Sequence, residues 1–448
     1  MNKIIFSTAL ILLSVNLLPA QEYMQLSLRE CMQTAVNENI NIKTARFEHE
    51  KNQYKKSEAI SAIVPKINIG ANFQDNLSLP TTMLPGEIIG MPGTTVPVKM
   101  GSNYVTSAAA TLNWTLYNQT ALTALQLSKK VIEISDLSIE KAGEELAAEV
   151  AKLYALTVAT SKQRLLVKQN IDRTIQMQGI TKILMNNGMV KQVDYDRVSI
   201  NLENLNTQLS NVEAGLEQQL NMIKYMLNIP LTTAITLTDT TNFPLLQTSP
   251  EMSADFDNHI DIRMLASQNE MNLINQKMIK SGYLPSLAFT GQYSYQGLRK
   301  EFGNYFNNSP ENVWHKSSYI GLSLSVPIFD GGDKRAKTLQ AKTDYRKTEA
   351  MLTDRKERFT ADYQNAVNNY YNHQANVERQ MQNIALAVKV YDETALRYRE
   401  GMASMSNLLQ DEMSLNSAQS NYVTAWYNYK EAEIKIMSLN GEIKNLYK

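Results

Sequence analysis

Two stretches of the sequence decide the fold, and the second repeats the design of the first. They read VPKINIGANF at residues 64–73 and LPSLAFTGQYSY at residues 284–295, with their prolines 220 positions apart. Each begins with an apolar residue and a proline and then alternates apolar with polar residues, as a β-strand with one apolar face does. A glycine also interrupts a very long helical pattern twice, at Gly188 and at Gly401. A repeat of this length exceeds any solenoid unit, so it indicates a duplicated domain.

The rest of the chain follows the same order twice: helix, strand, strand, very long helix, glycine turn and return helix. We assign the first repeat to residues 21–230, with a helix from Leu26 to about Ile60, strands at about 66–77 and 105–117, a long helix over 119–187, a turn at Gly188 and a return helix to about Asn228. After a linker at 231–250, the second repeat spans 251–448, with a helix over Met252 to Ser281, strands at about 285–296 and 318–329, a long helix over 333–400, a turn at Gly401 and a return helix to about Asn440.

The long helices are the second unusual feature. Residues 333–400 form a stretch of 68 residues without glycine or proline. A helix of that length is ~100 Å long, whereas the mean helix of a globular protein has about 11–12 residues. Apolar residues run along its faces with charged residues between them. The pattern predicts a coiled coil or a helical tube.

The four predicted strands are apolar on one face and small or polar on the other, with almost no charge. Strands of about ten residues with this alternation are typical of transmembrane β-barrels. A soluble β-sandwich in which one face of the sheet is shielded from water is the alternative. Helices flank each pair of strands, however, whereas a sandwich would require further strands. Four strands cannot close a barrel, and an open sheet edge is not tolerated in lipid. The chain is therefore expected to assemble with copies of itself, and three copies supply twelve strands.

Composition and the N-terminus limit the compartment and the chemistry. Residues 1–20 are predicted to be a signal peptide, because Lys3 precedes the apolar stretch from Ile4 to Leu18 and a small-residue cleavage site ends at Ala20; a membrane anchor is the alternative. The 44 Lys and Arg balance the 44 Asp and Glu, which argues against nucleic acid as a partner. The single cysteine, Cys31, forms no intramolecular disulfide.

An enzymatic function finds little support. The four histidines lack metal-ligand spacing, and neither a nucleophile elbow, a phosphate-binding loop nor a metalloprotease motif is present. We therefore expect neither an enzyme nor a bound cofactor or metal.

The segment SVPIFDGG at residues 325–332 is the most specific local motif. Pro327 fits the end of strand pairing, Gly331 and Gly332 permit a sharp change of direction, and Asp330 or Asp333 can cap the helix that follows. The segment is therefore predicted to join a strand to a long helix.

With these residues, the chain from about Leu26 to Asn440 resembles the TolC family of outer-membrane efflux proteins. The junction motif, the repeated proline-led strands, the two glycine turns, Asp194 and Tyr398 carry the resemblance. It implies an α+β membrane protein, internally duplicated, with four β-strands per chain in a trimeric 12-stranded outer-membrane β-barrel, continued by a long periplasmic α-helical coiled-coil barrel. It also implies a channel-tunnel of a tripartite efflux or type I secretion system. Its partners would be outer-membrane lipid, a periplasmic adaptor (membrane fusion) protein and an inner-membrane RND or ABC-type transporter.

The resemblance and the turn chemistry together suggest two sets of functional residues. The expected docking surface for the adaptor comprises Gly188, Met189, Val190, Gly401, Met402 and Ala403, while the two glycines also have the simpler role of reversing the chain. The candidate pore constriction comprises Asp194, Tyr398, Asn407 and Gln410. An acid at position 194 is equally explained as one that favours the positive end of a helix dipole. Candidates for aromatic girdles at the bilayer interfaces are Trp114, Tyr104, Tyr293, Tyr295 and Tyr319.

Two other classes of protein are alternatives to a channel. A periplasmic coiled-coil adaptor would have one helical hairpin, not two, and would lack the four membrane-type strands. A structural coiled-coil protein would leave the apolar strand faces without a purpose.

Overall fold

A computed structural model describes residues 23–239, 249–252, 255–303, 310 and 313–448. The predicted signal peptide, parts of the 231–250 linker and parts of the segment between the strands predicted at about 285–296 and 318–329 lie outside these residues. The first half contains β1 (Tyr23–Leu26), α1 (Leu28–Glu38), α2 (Ile40–Ser61), β2 (Lys66–Asp75), β3 (Thr81–Pro85), β4 (Thr95–Lys99), β5 (Tyr104–Asn118), α3 (Gln119–Asn186) and α4 (Gln192–Met226). The remainder contains β6 (Ala234–Leu237), α5 (Ile260–Ser281), β7 (Ser286–Arg299), β8 (Trp314–Ser325), α6 (Asp333–Arg399) and α7 (Met405–Leu439).

The four predicted membrane strands form one antiparallel sheet in the order β2-β5-β7-β8. Its register pairs apolar residues across neighbouring strands, because Ile67 lies opposite Leu112 and Phe289 opposite Leu322. Polar residues such as Asn68, opposite Thr111, occupy the other face. Every residue of both edge strands, β2 and β8, is exposed in a single chain. The sheet therefore presents a continuous apolar face and two unpaired edges.

The duplication is visible in the lengths of the helices. Helices α2 and α5 both have 22 residues, and α4 and α7 both have 35. Helices α3 and α6 have 68 and 67 residues. Each return helix ends at a left-handed residue, Asn228 in the first half and Gly441 in the second. The two halves thus use the same turn at the same position.

The helix expected from Leu26 to Ile60 differs from the observed structure. Residues 23–26 form a strand that pairs in parallel with β6, and Ser27 begins α1 with a capping box to Glu30. The helix then breaks at Asn39, whose backbone is extended. Short amphipathic periodicity continues across such a break, which is why the sequence pattern does not reveal it.

The proline-rich segment between β2 and β5 also contains more structure than a loop. Strands β3 and β4 pair as a hairpin, joined by a single turn of 3-10 helix at Gly86–Ile89. Prolines 85 and 97 lie within its strands, a position that an isolated two-stranded hairpin tolerates because each strand is an edge.

The described residues group into two compact units. The first includes the described parts of Met1–Phe47, Leu137–Arg263 and Thr353–Lys448, and the second includes those of Glu48–Asp136 and Met264–Leu352. The core of the first unit contains Met32, Tyr154 and Ile434, all fully buried. The second unit contains the four-stranded sheet.

Candidate docking and gating site at the two helix turns

Both long helices of the chain end in the same hydrogen-bonded turn. Gly188 and Gly401 have φ angles of 72° and 74°, a left-handed conformation that favours glycine. The N–H of Met189 donates to the carbonyl of Leu184 at 2.9 Å, and the N–H of Met402 donates to that of Arg397 at 2.7 Å. With a second bond from each glycine N–H, this is the Schellman motif that ends helices. The two turns are therefore built alike and rigidly.

The return helices begin differently. In the second half, Ser404 caps α7 by accepting a hydrogen bond from the N–H of Asn407. In the first half, Lys191 holds the corresponding position without a side-chain cap. Asp194 lies in the first turn of α4, where a carboxylate favours the positive end of the helix dipole. The start of α4 is thus stabilised by the charge of Asp194, and the start of α7 by the side-chain cap of Ser404.

An apolar cluster, here called the tip core, packs the four helix ends together. Its buried members are Met177, Val198, Tyr391, Ala395, Tyr398, Met405, Leu408 and Leu415. They come from α3, α4, α6 and α7, so all four helices are fixed to one another within the first unit.

The predicted docking residues divide into an exposed and a packed group. Met189 and Met402 expose 65% and 68% of their surface, whereas Val190 and Ala403 pack against the tip core. Exposed methionines are flexible and polarisable, and they suit a surface that must fit a partner. Each turn thus exposes one methionine, while the residue that follows it packs against the tip core.

Two residues of the candidate constriction lie near each other in one chain, because burial chiefly raises the pKa of Tyr398 and the charge of Asp194 raises it further. Asn407 and Gln410 are exposed on α7. Asp194 is half-buried and lies 3.5 Å from Arg197. Tyr398 is only 3% exposed, and its hydroxyl lies 3.4 Å from that of Thr181 inside the tip core. Tyr398 therefore holds the helices together in this conformation and does not face open solvent.

The sequence analysis missed a buried polar seam beside the tip core. On α3 it contains Asn170 and Thr174, and on α7 it contains Glu412 and Gln419, all at most 6% exposed. The spacing of four on α3 and seven on α7 places each pair on one helix face. That periodicity was visible in the sequence, but it cannot show which polar stripe another helix covers.

The strand-to-helix junction has the geometry that its sequence predicts. Asp330 accepts hydrogen bonds from the N–H groups of Gly332 and Lys334, at 3.0 and 3.1 Å. Gly331 and Gly332 both have positive φ angles, 67° and 88°. Pro327 follows shortly after the end of β8. The carboxylate of Asp330 therefore caps the start of α6 across two left-handed glycines.

The girdle candidates lie on both faces of the sheet. The hydroxyls of Tyr293 and Tyr295 are 2.8 Å apart, and they share the apolar face with Trp114 and Tyr104, as the register requires. Tyr319 lies on the polar face, where its hydroxyl donates to Gln292 at 3.2 Å. Its inclusion among the girdle residues is therefore wrong.

The described ranges contain neither a candidate metal site nor a candidate membrane-spanning helix. No group of His, Cys, Asp and Glu there could hold a metal ion. None of the helices in that part of the chain is long and apolar enough to cross a membrane.

Comparisons with known proteins agree on one family. The sequence profile described as "Outer membrane efflux protein" matches residues 31–228 and 257–442. Outer membrane protein TolC of Escherichia coli (strain K12) is 22% identical, over 75% of this chain and 70% of that protein.

Solved structures show the same fold. The outer-membrane channel OprN superposes with a TM-score of 0.72 at 17% identity, covering 92% of this chain and 90% of that one. The outer membrane protein VceC of Vibrio cholerae gives a TM-score of 0.72 at 13% identity, covering 92% and 96%. The predicted fold class is confirmed at this level.

Members of the matched family are outer-membrane channels, not enzymes. The chain belongs to the outer membrane efflux protein family, and it is an outer-membrane protein with a periplasmic helical extension.

Proposed function

We propose that this chain forms, as a homotrimer, the channel-tunnel of a tripartite efflux or type I secretion system. Substrates would pass passively through it from a periplasmic pump assembly to the exterior. The energy would come from an inner-membrane RND or ABC-type transporter, reached through a periplasmic adaptor.

The observation that carries this proposal is the pair of exposed edges on the four-stranded sheet. Strands β2 and β8 are exposed along their whole length, and unpaired backbone groups are very costly in lipid. A second copy that pairs its β2 with β8 of the first satisfies one edge of each chain, and a closed ring of copies satisfies both edges of every chain. Three copies give twelve strands, which is enough to close a barrel with a lumen.

The two helix turns support the docking part of the proposal. Their rigid Schellman backbones present Met189 and Met402 to solvent. We propose that these turns, with Val190 and Ala403 behind them, contact the adaptor. The six residues from 188–190 and 401–403 are the docking surface in this proposal.

The constriction is proposed in a form that respects the observed packing. Three copies of the exposed pair Asn407 and Gln410, together with Asp194, would line the narrow end of the tube. Tyr398 would contribute by fixing α6 to α3, since its side chain is buried. We also propose that residues 21–230 and 251–448 are the two structural repeats, joined by the linker at 231–250.

The first test measures the mass of the protein extracted in mild detergent from the outer-membrane fraction, corrected for bound detergent. Three chains per particle are expected. A monomer would leave the sheet edges unpaired and would refute the channel in favour of a periplasmic adaptor or a structural coiled coil.

A matched pair of substitutions tests the orientation of the sheet. Ile320 is 79% exposed on the apolar face, so Ile320→Lys places a charge in lipid, at a cost of about 2–4 kcal/mol near the bilayer centre. Ser323→Lys, on the opposite face of β8, points into the lumen. The first variant should lose assembly in the outer membrane and the second should retain it. Equal yields of the two variants in that membrane would contradict the proposed barrel.

A further inference from the structure

A carboxyl group is buried between two helices close to the docking turns. Glu412 of α7 is 6% exposed, and Leu408 and Leu415 of the tip core flank it on the same helix. An ionised carboxylate is very costly to bury without a cationic partner. No salt bridge to Glu412 is found among the described residues. Burial at this position therefore favours the protonated, neutral form of Glu412.

The hydrogen bonds around Glu412 also count in favour of a bound proton. The hydroxyl of Thr174 on α3 lies 2.6 Å from a carboxyl oxygen of Glu412 and 2.8 Å from the carbonyl of Asn170. A threonine hydroxyl has only one proton to donate. Both hydrogen bonds form at once when Glu412 donates its own proton to Thr174 and Thr174 donates to the carbonyl.

The seam continues from this pair along the two helices. The side-chain amide of Asn170 donates to the amide oxygen of Gln419 at 2.7 Å and to that of Asn416 at 2.5 Å. Its two amide protons are therefore both used. Every donor and acceptor in the seam has a defined direction, and Glu412 is the only member whose protonation can change.

The groups that face Glu412 come from three other helices. Burial is the main cause that raises its pKa above the ordinary value of 4.5, while the side chains of Thr174 and of Asn201 on α4 act in the opposite direction. Arg173 on α3 also lowers it, at longer range. Tyr391 on α6 faces the same carboxyl, and burial holds the pKa of that tyrosine at about 12. Tyr391 is therefore neutral across the physiological range.

We propose that Glu412 is a proton-controlled latch that holds the tip end of α7 against α3. With its proton bound, the seam is neutral and fully hydrogen-bonded, and the two helices stay packed. When the proton leaves, a negative charge occupies the seam and α7 separates from α3. The latch would regulate the docking and gating site of the proposed channel, but the packing change itself does not require the channel function.

The direction of the pH effect follows from linkage. The packed state holds the proton more tightly than an open state in which Glu412 meets water. Packing is therefore strongest below the ordinary pKa of 4.5 and weakens as pH rises toward the raised pKa of the packed state. Over that interval the equilibrium constant for opening rises about tenfold per pH unit, because one proton is released.

The experiment follows amide hydrogen exchange of residues 405–419 in the intact, detergent-solubilised protein, at a series of pH values and after correction for intrinsic rates. Three proteins are compared: the wild type, Glu412→Gln and Glu203→Gln. Glutamine has the shape and hydrogen-bond donor of the protonated acid but cannot ionise. Glu203 is an exposed carboxyl on α4 and serves as the matched control.

The wild type and Glu203→Gln should lose protection about tenfold per pH unit above pH ~4.5, and Glu412→Gln should show no such slope. Infrared spectra should contain a protonated carboxyl band that persists above the titration of exposed acids and that loses intensity in Glu412→Gln but not in Glu203→Gln. Identical exchange slopes in the wild type and Glu412→Gln would overturn the latch, as would identical infrared bands. Because neither measurement uses oligomeric state or conductance, failure of the latch is distinguishable from failure of the proposed channel.

Discussion

In each repeat, one side chain joins the start of one helix to the end of another. This predicts what happens when the residue of the second repeat is replaced by the residue type of the first. In the first repeat, Asn39 accepts the N–H of Asn41 at 2.8 Å and donates to the carbonyl of Met226 at the end of α4, also at 2.8 Å. In the second, Nδ1 of His259 accepts the N–H of Asp261 at 3.2 Å. Its Nε2 lies 3.2 Å from the carbonyl of Ser438 near the end of α7. Asn39 and His259 thus make equivalent contacts in the two repeats.

The size of the effect can be estimated from these contacts. Loss of a side-chain cap costs about 1 kcal/mol, and loss of a neutral hydrogen bond costs about another 1 kcal/mol. The ring of His259 also packs against Phe359, with centroids 4.3 Å apart, a contact worth about 0.5–1.5 kcal/mol. We therefore expect His259→Ala to destabilise the first turn of α5 by about 2.5–3.5 kcal/mol. His259→Asn, which copies the first repeat, should lose only the ring contact.

Acidification provides an independent signature. Burial is the main cause that lowers the pKa of His259 below its ordinary value of 6.5, and its hydrogen bond to Ser438 and the nearby charge of Asp261 act in the opposite direction. A proton on Nδ1 would oppose the N–H of Asp261. The stability contributed by neutral His259 is therefore fully present above pH 6.5 and is lost as pH falls through the lowered pKa. His259→Asn should not show this loss.

Amide exchange in the intact protein measures both effects. The free energy of local opening at the Asp261 amide should fall in His259→Ala, which corresponds to exchange that is roughly 70- to 400-fold faster. The Asn41 amide, bound in the same way in the other repeat, is an internal control and should not change. If the Asn and Ala variants are equally destabilised, or if the Ala variant exchanges like the wild type, the paired role of this position is refuted.

Four further substitutions test the fold. Gly401→Ala should cost about 1–2 kcal/mol because a left-handed residue acquires a Cβ. Gly179→Ala, inside α3 with nothing within 4 Å of its new Cβ, should stabilise the protein by about 0.5–1 kcal/mol. Thermal unfolding midpoints compare the two variants, and equal shifts would refute the turn geometry. Lys430→Met leaves the carboxylate of Glu433 buried without its 2.7 Å partner, so a loss of about 3–5 kcal/mol is expected in urea unfolding. Asp330→Ala removes two hydrogen bonds from the start of α6 and should cost about 1–2 kcal/mol, seen as faster amide exchange confined to its first turn.

The position of the elements along the chain could be predicted because the local signals are strong. Alternation with period two specifies a strand whatever surrounds it. The absence of proline over 333–400 permits a helix of extreme length. The breaks were harder to find, because Asn39 has no special signature in an otherwise helical pattern. The β3–β4 hairpin was missed for the same kind of reason, since prolines argue against strands except at sheet edges.

The candidate site was less accessible to sequence reasoning. The two glycine turns were found because a left-handed residue after a long helix is a local requirement. Tyr398 was predicted to belong to the pore constriction, but the sequence could not show that its side chain is buried with its hydroxyl 3.4 Å from that of Thr181. The burial of Glu412 could not be predicted, because an acidic residue on a long helix is ordinarily solvated.

By itself, the sequence determined the duplicated architecture, the strand faces and the two turns, because hydrophobic period and backbone conformation are set by neighbouring residues. Only the tertiary structure decided which stripe of each long helix is covered, and by which helix. That choice depends on contacts between residues far apart in the chain, such as Thr174 with Glu412 and His259 with Ser438. These contacts determine whether a polar side chain is a solvated surface group or a buried link between helices.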